Sequence, residues 1–297
     1  HTIFHFHMTL PMSFIRKSLL CLGLLSAAPL TALAGDDFGL WTSFGAQKDF
    51  SKKFSVEAGL DFRAEDKLRS VERWDFSLGA TYKPFKFLSL GVGYDFIHQR
   101  NLQETKEDWE ADEDDPSTII SNGLNVDHGY WRNKHRAVFD LTGKVAAGRF
   151  TFSLRERYQF THYRSTSTLR DKYRDEIPAN MIDAWTGEKH CMEGRVFSKL
   201  KGPDVKEKES KNKHYLRSRL QVEYNIKHSP LTPYASFELS NNLSDGFSLD
   251  KKRVCVGTEW KITKKHRLEV GYVFQTGADD DDEGDLHAIS LGYKFKF

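Results

Sequence analysis

Leu286-His-Ala-Ile-Ser-Leu-Gly-Tyr-Lys-Phe-Lys-Phe297 is the stretch on which the reading of this chain turns. Taken backwards from Phe297, every second residue is apolar or aromatic: Phe295, Tyr293, Leu291 and Ile289. Lys296, Lys294, Gly292 and Ser290 stand between them. Because a strand sends successive side chains to opposite faces, the segment has one apolar face and one polar face. Any half-buried strand alternates in this way, so the question is what covers the apolar side.

The same pattern recurs along most of the chain, with no helical periodicity to supply a covering layer. Phe54, Val56, Ala58, Leu60 and Phe62 alternate with Glu57, Gly59, Asp61 and Arg63. Trp74 to Tyr82 repeats it, and Leu88, Leu90, Val92, Tyr94 and Phe96 follow the turn at Pro84. Ala137, Phe139, Leu141 and Val145 form another apolar face, as do Phe150, Phe152, Leu154, Tyr158 and Phe160. Further on come Leu216 to Ile226, then Ala235, Phe237 and Leu239, then Val254 to Ile262, and Leu268 to Phe274. Glu156 falls out of phase, which points to an interface position or a bulge.

Mean hydropathy is −0.59 over the 297 residues, 29% are charged and 13% aromatic. Those values exclude a helical membrane protein but suit a transmembrane barrel, whose strands are apolar only at alternate positions. Lys+Arg 44 against Asp+Glu 42 gives a net charge of +2, so nucleic acid is not an expected partner.

The expected fold is therefore all-β: an antiparallel up-and-down transmembrane β-barrel of about ten strands, with ten to twelve allowed. Short connections near Ser51, Pro84, Ala147, Ser229 and Lys264 read as periplasmic turns. Longer ones, including 101–132 and 163–212, read as extracellular loops. Phe38 to Asp49 alternates poorly and puts Trp41 on its polar face. Counting it gives about eleven strands, whereas single-chain bacterial barrels have even numbers; it reads as a segment inside the lumen, leaving ten wall strands, with a hidden twelfth strand as the alternative.

Upstream, Arg16 and Lys17 precede an apolar run from Ser18 to Pro29, and Ala32-Leu33-Ala34 fits the small-x-small cleavage rule of a secretory signal. The expected organisation is an upstream remnant at 1–11, a signal peptide at 12–34 cleaved near Ala34, and one barrel domain at 35–297. Cys21 sits inside the apolar run, in the wrong context for lipidation. Cys191 and Cys255 are expected to be unpaired. The segment carrying Tyr293, Phe295 and Phe297 resembles the closing strand of bacterial outer-membrane barrels and the C-terminal signal read by the barrel-assembly machinery.

Several stretches resemble one bacterial family. They are Trp41-Thr42-Ser43, Arg73-Trp74, Gly93-Tyr94-Asp95-Phe96-Ile97, Trp131-Arg132-x-Lys134-His135-Arg136 and Phe152-Ser153-Leu154-Arg155-Glu156-Arg157 in the first half. Arg217-x-Arg219-Leu220-Gln221-Val222-Glu223-Tyr224, Val256-Gly257-Thr258-Glu259 and Leu291-Gly292-Tyr293-Lys294-Phe295 complete them. From about Phe38 to Phe297 the chain is similar to the family catalogued as domain of unknown function 2490. The resemblance implies a small outer-membrane barrel, and it brings no activity or catalytic residues.

On the polar faces, Arg136, Arg155, Arg157, Arg217 and Arg219 come from three consecutive predicted strands, with Glu57, Asp61, Asp75, Asp95, Asp140, Glu223, Glu259 and Glu269 elsewhere. One reading is an arginine-lined constriction favouring anions. The reading preferred here is that the arginines pair with carboxylates and fill a narrow lumen, because bare charges in so small a space are costly. The acidic runs Asp112 to Asp115 and Asp279 to Glu283 lack the glycine-punctuated spacing of a calcium loop and read as solvated loop ends. His98, His128, His162, Ser121 and Ser165 fall near extracellular strand ends, where a lipid hydrolase would need them, but no glycine-flanked serine elbow or His-x-x-x-His pair appears. The expectation is a barrel without metal or cofactor, in contact with outer-membrane lipid and lipopolysaccharide. Its role is structural, interaction or narrow-pore, with an anion channel and then a hydrolase as alternatives.

Overall fold

The computed structural model describes residues 37–65, 67–111, 117, 119–175, 185–192, 194–277 and 285–297. The candidate signal at 12–34, the residues before it and both acidic runs lie outside the described residues.

In chain order the strands are β1 (Asp37–Asp49), β2 (Phe54–Glu65), β3 (Ser70–Phe85), β4 (Leu88–Asn101), β5 (Glu104–Ala111), β6 (Ile119–Asp127), β7 (Tyr130–Ala147), β8 (Phe150–Tyr163) and β9 (Thr166–Arg174). Then come β10 (Trp185–Met192), β11 (Arg195–Leu200), β12 (Asp204–Lys208), β13 (Lys211–Tyr224), β14 (Leu231–Asn242), β15 (Ser248–Lys261), β16 (His266–Thr276) and β17 (Leu286–Lys296). Eleven of them close into a barrel in the order β1-β17-β16-β15-β14-β13-β8-β7-β4-β3-β2.

Eleven lies between the ten and twelve expected but breaks the even-number rule, and Phe38 to Asp49 supplies the odd member. β1 is a wall strand rather than a lumen segment. It pairs antiparallel with β2 and parallel with β17, in continuous register from Asp37 and Leu286 to Gln47 and Lys296. The purely antiparallel expectation fails at this seam for a geometric reason. Strands that alternate up and down return pointing the same way when their number is odd, so the first and last can meet only in parallel.

Burial is the reverse of a soluble core. Outward residues such as Phe139, Leu220 and Val92 are more than half exposed, and the buried described residues are mostly polar, including Glu238, Arg73, Asp75, Gln99, Gln159 and Gln275. The period-2 alternation produces both sets at once, apolar side chains leaving the barrel and polar ones entering it. Aromatics gather toward both ends of the outward face: Phe150 packs on Tyr224 at the short-turn end, and Trp74 on Phe96 at the other.

The two long insertions and the 277–285 connection fall at one end of the barrel as expected, but the expected loops between β2 and β3 and between β14 and β15 are as short as the turns at the other end. Gly148 and Arg149 alone link β7 to β8, and Gly148 has φ +62°, a conformation that suits a residue without Cβ. At the opposite end, the two long insertions are not irregular loops. They form a second sheet in the order β10-β11-β9-β6-β5, with β12 also paired to β9. Its apolar core is small, Leu124, Val126, Tyr173 and Phe197, and ion pairs supplement it. Asp127 receives Arg170 at 3.0 Å and Lys208 at 2.9 Å, Asp171 receives Lys199 at 3.1 Å, and Asp108 receives Arg174 at 3.0 Å. At Gly123, φ +126°, a Cβ would stand 2.1 Å from the Tyr173 carbonyl oxygen, so only glycine allows β6 to approach β9 this closely.

Candidate functional site in the barrel lumen

Alternation along β8 and β13 sends Arg155, Arg157, Arg217 and Arg219 inward, and register places like charges face to face. Arg157 stands opposite Arg217, and Arg155 opposite Arg219. Four adjacent guanidinium groups repel one another unless anions flank them. The flanking strands bring those anions: Asp140 of β7 stands opposite Arg157, and Glu238 of β14 opposite Arg219.

Glu238, 4% exposed, is the hub. It accepts hydrogen bonds from Arg155 Nη2 at 2.7 Å, Arg219 Nε at 2.9 Å and Arg217 Nε at 3.2 Å, and Arg253 Nη1 of β15 lies at 3.5 Å. Asp140 holds Arg157 in a two-pronged pair of 2.6 and 2.7 Å. Arg136 sits 3.8 Å from Asp95, its cross-strand neighbour on β4, and Arg73 lies 3.1 Å from Asp75. Bidentate and charge-assisted contacts of this kind are the stronger hydrogen bonds of proteins, and here they fix side chains that would otherwise sweep the lumen.

The remaining space is a cavity of about 430 Å³. Its wall carries nine cationic side chains and seven carboxylates, a net excess of two positive charges. The signs are unevenly placed. Glu57, Asp61, Asp75 and Asp95 come from β2 to β4, whereas Arg155, Arg157, Arg217, Arg219 and Arg253 come from β8, β13 and β15. Trp41, brought into the lumen by β1, lies between Arg63 and Arg253, whose guanidinium carbons are 3.8 and 5.0 Å from its ring centroid. Cations stacked on an indole face keep their charge while shedding water.

All five arginines singled out in the sequence line this cavity. Glu238, which joins three of them, is missing from the sequence reading, and Arg63, Arg73 and Arg253, which the alternation puts on polar strand faces, are missing from the cluster drawn there. The signal for Glu238 was present: Phe237 and Leu239 point outward, so the residue between them must point in. Other sequence candidates are not brought together. His98 bonds Asn133, His162 bonds Asn212 and His128 bonds Asp171; none of the three bonds a serine among the described residues. Cys191 and Cys255 are both free thiols. Glu156 marks neither a bulge nor a rim: its register is unbroken, and its carboxylate accepts the Ser218 hydroxyl at 2.5 Å on the outward face, midway along the strand. Tyr293, Phe295 and Phe297 lie at the short-turn end, Tyr293 bonded to His266 at 2.6 Å and Phe295 packed against Phe297.

No curated protein matches the sequence. Among solved structures, one described as "CymD monoaromatic hydrocarbon channel" is similar at 10% identity and a TM-score of 0.30, over 87% of this chain and 88% of that one. A family model described as "Protein of unknown function (DUF2490)" matches residues 38–285, which include ten of the eleven wall strands and the second sheet. The chain belongs to that family, DUF2490.

Proposed function

We propose that this chain is an outer-membrane β-barrel whose lumen is a narrow, charge-compensated passage, serving a structural or interaction role and admitting at most small polar solutes. The observation that carries this reading is the pairing of the five lumen arginines. Arg155, Arg217 and Arg219 converge on Glu238, Arg157 is locked to Asp140, and Arg136 stands beside Asp95. A constriction built to select anions would leave its cations free to replace the hydration shell of a passing solute. These are already occupied.

Membrane placement is supported by the outward surface, since contiguous aromatic and aliphatic exposure on this scale marks an apolar solvent. Closure of the barrel removes the unpaired edges that lipid would not tolerate. With the short turns toward the periplasm, the second sheet stands outside the cell on top of the barrel and is the part available to a partner. The candidate signal peptide at 12–34 and the terminal Tyr293, Phe295 and Phe297 support export and folding by the barrel-assembly machinery.

The excess of two positive charges on the cavity wall favours an anion-preferring pore as the second reading. Planar-bilayer recording separates the two. Small or absent conductance with weak selectivity is expected. Large, discrete steps strongly selective for anions, abolished in Arg155→Gln/Arg157→Gln, would replace the first reading with the second.

A further inference from the structure

Four histidines lie outward on adjacent strands at the long-loop end of the barrel: His98 of β4, His135 of β7, His162 of β8 and His214 of β13. Register sets them in neighbouring rows, with His135 beside His162, His98 opposite Asn133, and His214 opposite Phe160. Each ring is held the same way, through Nδ1. Asn133 Oδ1 lies at 2.6 Å from His98, Tyr94 Oη at 2.6 Å from His135, Asn212 Oδ1 at 2.7 Å from His162 and Tyr158 Oη at 2.7 Å from His214. None of the four makes another side-chain hydrogen bond among the described residues, so the Nε2 edges are left to the surroundings. The rings are also braced: His98 stacks on Trp131 at 4.5 Å and an interplanar angle of 5°.

Two arginines complete the strip. Arg100 of β4, opposite Trp131 of β7, and Arg164, just beyond β8, are exposed and form no ion pair among the described residues. They differ from the inward Arg136, Arg155, Arg157, Arg217 and Arg219, which have carboxylate partners. Further down the same strands the wall is apolar apart from the Glu156–Ser218 pair, with Val92, Phe139 and Leu220 exposed.

We infer that this strip is a docking site for the phosphate of a membrane lipid of the outer leaflet, of the phosphorylated glycolipid class. The two guanidinium groups supply charge and bidentate geometry for phosphate oxygens, the pre-set imidazole edges supply further polar contacts, and the apolar wall beneath accepts the acyl chains. A free anion would gain nothing from that wall. An amphiphile satisfies both halves, and the flanking indoles suit the boundary between them. This inference rests on the outer-membrane reading above and adds a lipid class and a place.

The test uses the full barrel refolded into phosphatidylcholine vesicles containing diphosphorylated lipid A, then extracted and weighed by native mass spectrometry. Wild type should retain a lipid A adduct. Arg100→Gln/Arg164→Gln should retain about tenfold less while still showing the folded gel shift, since two charge-assisted contacts are lost. His135→Phe/His162→Phe should also weaken retention, and dephosphorylated lipid A should not bind. Equal retention by wild type and the arginine variant, or equal binding of the dephosphorylated lipid, would overturn the site. Displacement by inorganic phosphate would assign it to free anions instead. Insertion without any adduct sinks this inference alone, whereas failure of the chain to insert sinks the outer-membrane reading with it.

Discussion

Replacing Glu238 by glutamine tests the lumen network at its hub. The change keeps the shape but removes the charge facing Arg155, Arg217, Arg219 and Arg253, and turns one of the two acceptor oxygens into an NH2 donor. The excess of positive charge on the cavity wall then rises from two to three, concentrated on β8, β13 and β15. Breaking one side of a buried ion pair typically costs about 3–5 kcal/mol. Three hydrogen-bonded partners argue for the upper half of that range, and a cavity roomy enough for water argues for the lower. An expectation of about 4 kcal/mol corresponds to nearly a thousandfold in the folding equilibrium, at 1.4 kcal/mol per decade. Urea unfolding in lipid vesicles, followed by tryptophan fluorescence and by the gel mobility of folded barrel, gives the difference. A double variant, Glu238→Gln/Arg219→Gln, should lose clearly less than the sum of its parts, because the two residues share one interaction. A loss below about 1 kcal/mol, the range of exposed pairs, would refute the claim that Glu238 holds the arginines in place.

Other expectations follow from the same geometry. In the second sheet, burial raises the Asp127 carboxyl, but the Arg170 and Lys208 bonds outweigh it and hold the group at about 2, below its ordinary 3.8. A depressed carboxylate contributes stability above its unfolded value and loses it as pH falls through the folded one. Protease resistance of the second sheet should therefore decline between about pH 4 and pH 2, and in Asp127→Asn it should already be reduced at neutral pH and decline less across that window, Asp171 and Asp204 still being held low by their own cationic partners. Gly257→Val should destabilise the barrel by about 1–3 kcal/mol in urea titration, because its Cβ would stand 2.7 Å from the Val270 carbonyl and 2.8 Å from Tyr234 Oη. Wild-type stability in that variant would mean that β15 and β16 can separate freely. Glu156→Leu should stabilise the barrel in vesicles by about 1–2 kcal/mol, since it removes a carboxylate from the apolar outward band; a loss of stability there would mean that the Glu156–Ser218 contact outweighs its desolvation.

Much of the fold can be read in the sequence because strands with one apolar and one polar face repeat one simple rule. Phe150 to Phe160 and Leu216 to Ile226 announce their outward faces at every second position, and so the inward arginines follow. β1 was harder to place, because Gly39, Gly45 and Ala46 leave little contrast between faces and Trp41 points in. Its status depends on partners at both ends of the chain, which only register reveals. The second sheet was illegible for a different reason. Strands such as Asp204–Lys208 carry charge on both faces and pair through backbone and ion pairs, so periodicity is silent and the insertions look like loops. Glu238 is hard to read as a hub because an isolated glutamate between two apolar residues gives no local sign that four arginines, up to 83 positions away, converge on it.

The central claim, that the outward face touches hydrocarbon, is tested most directly by nitroxide accessibility in vesicles. Single labels replace Phe139, Leu220 or Val256 on the outward face, and Ser77 or Ser240 in the lumen, in a background where Cys191 and Cys255 are serine. The account predicts that outward labels are relaxed by oxygen and shielded from a polar nickel chelate, with the lumen labels showing the opposite preference. Outward labels open to the chelate as freely as an exposed loop position would contradict it.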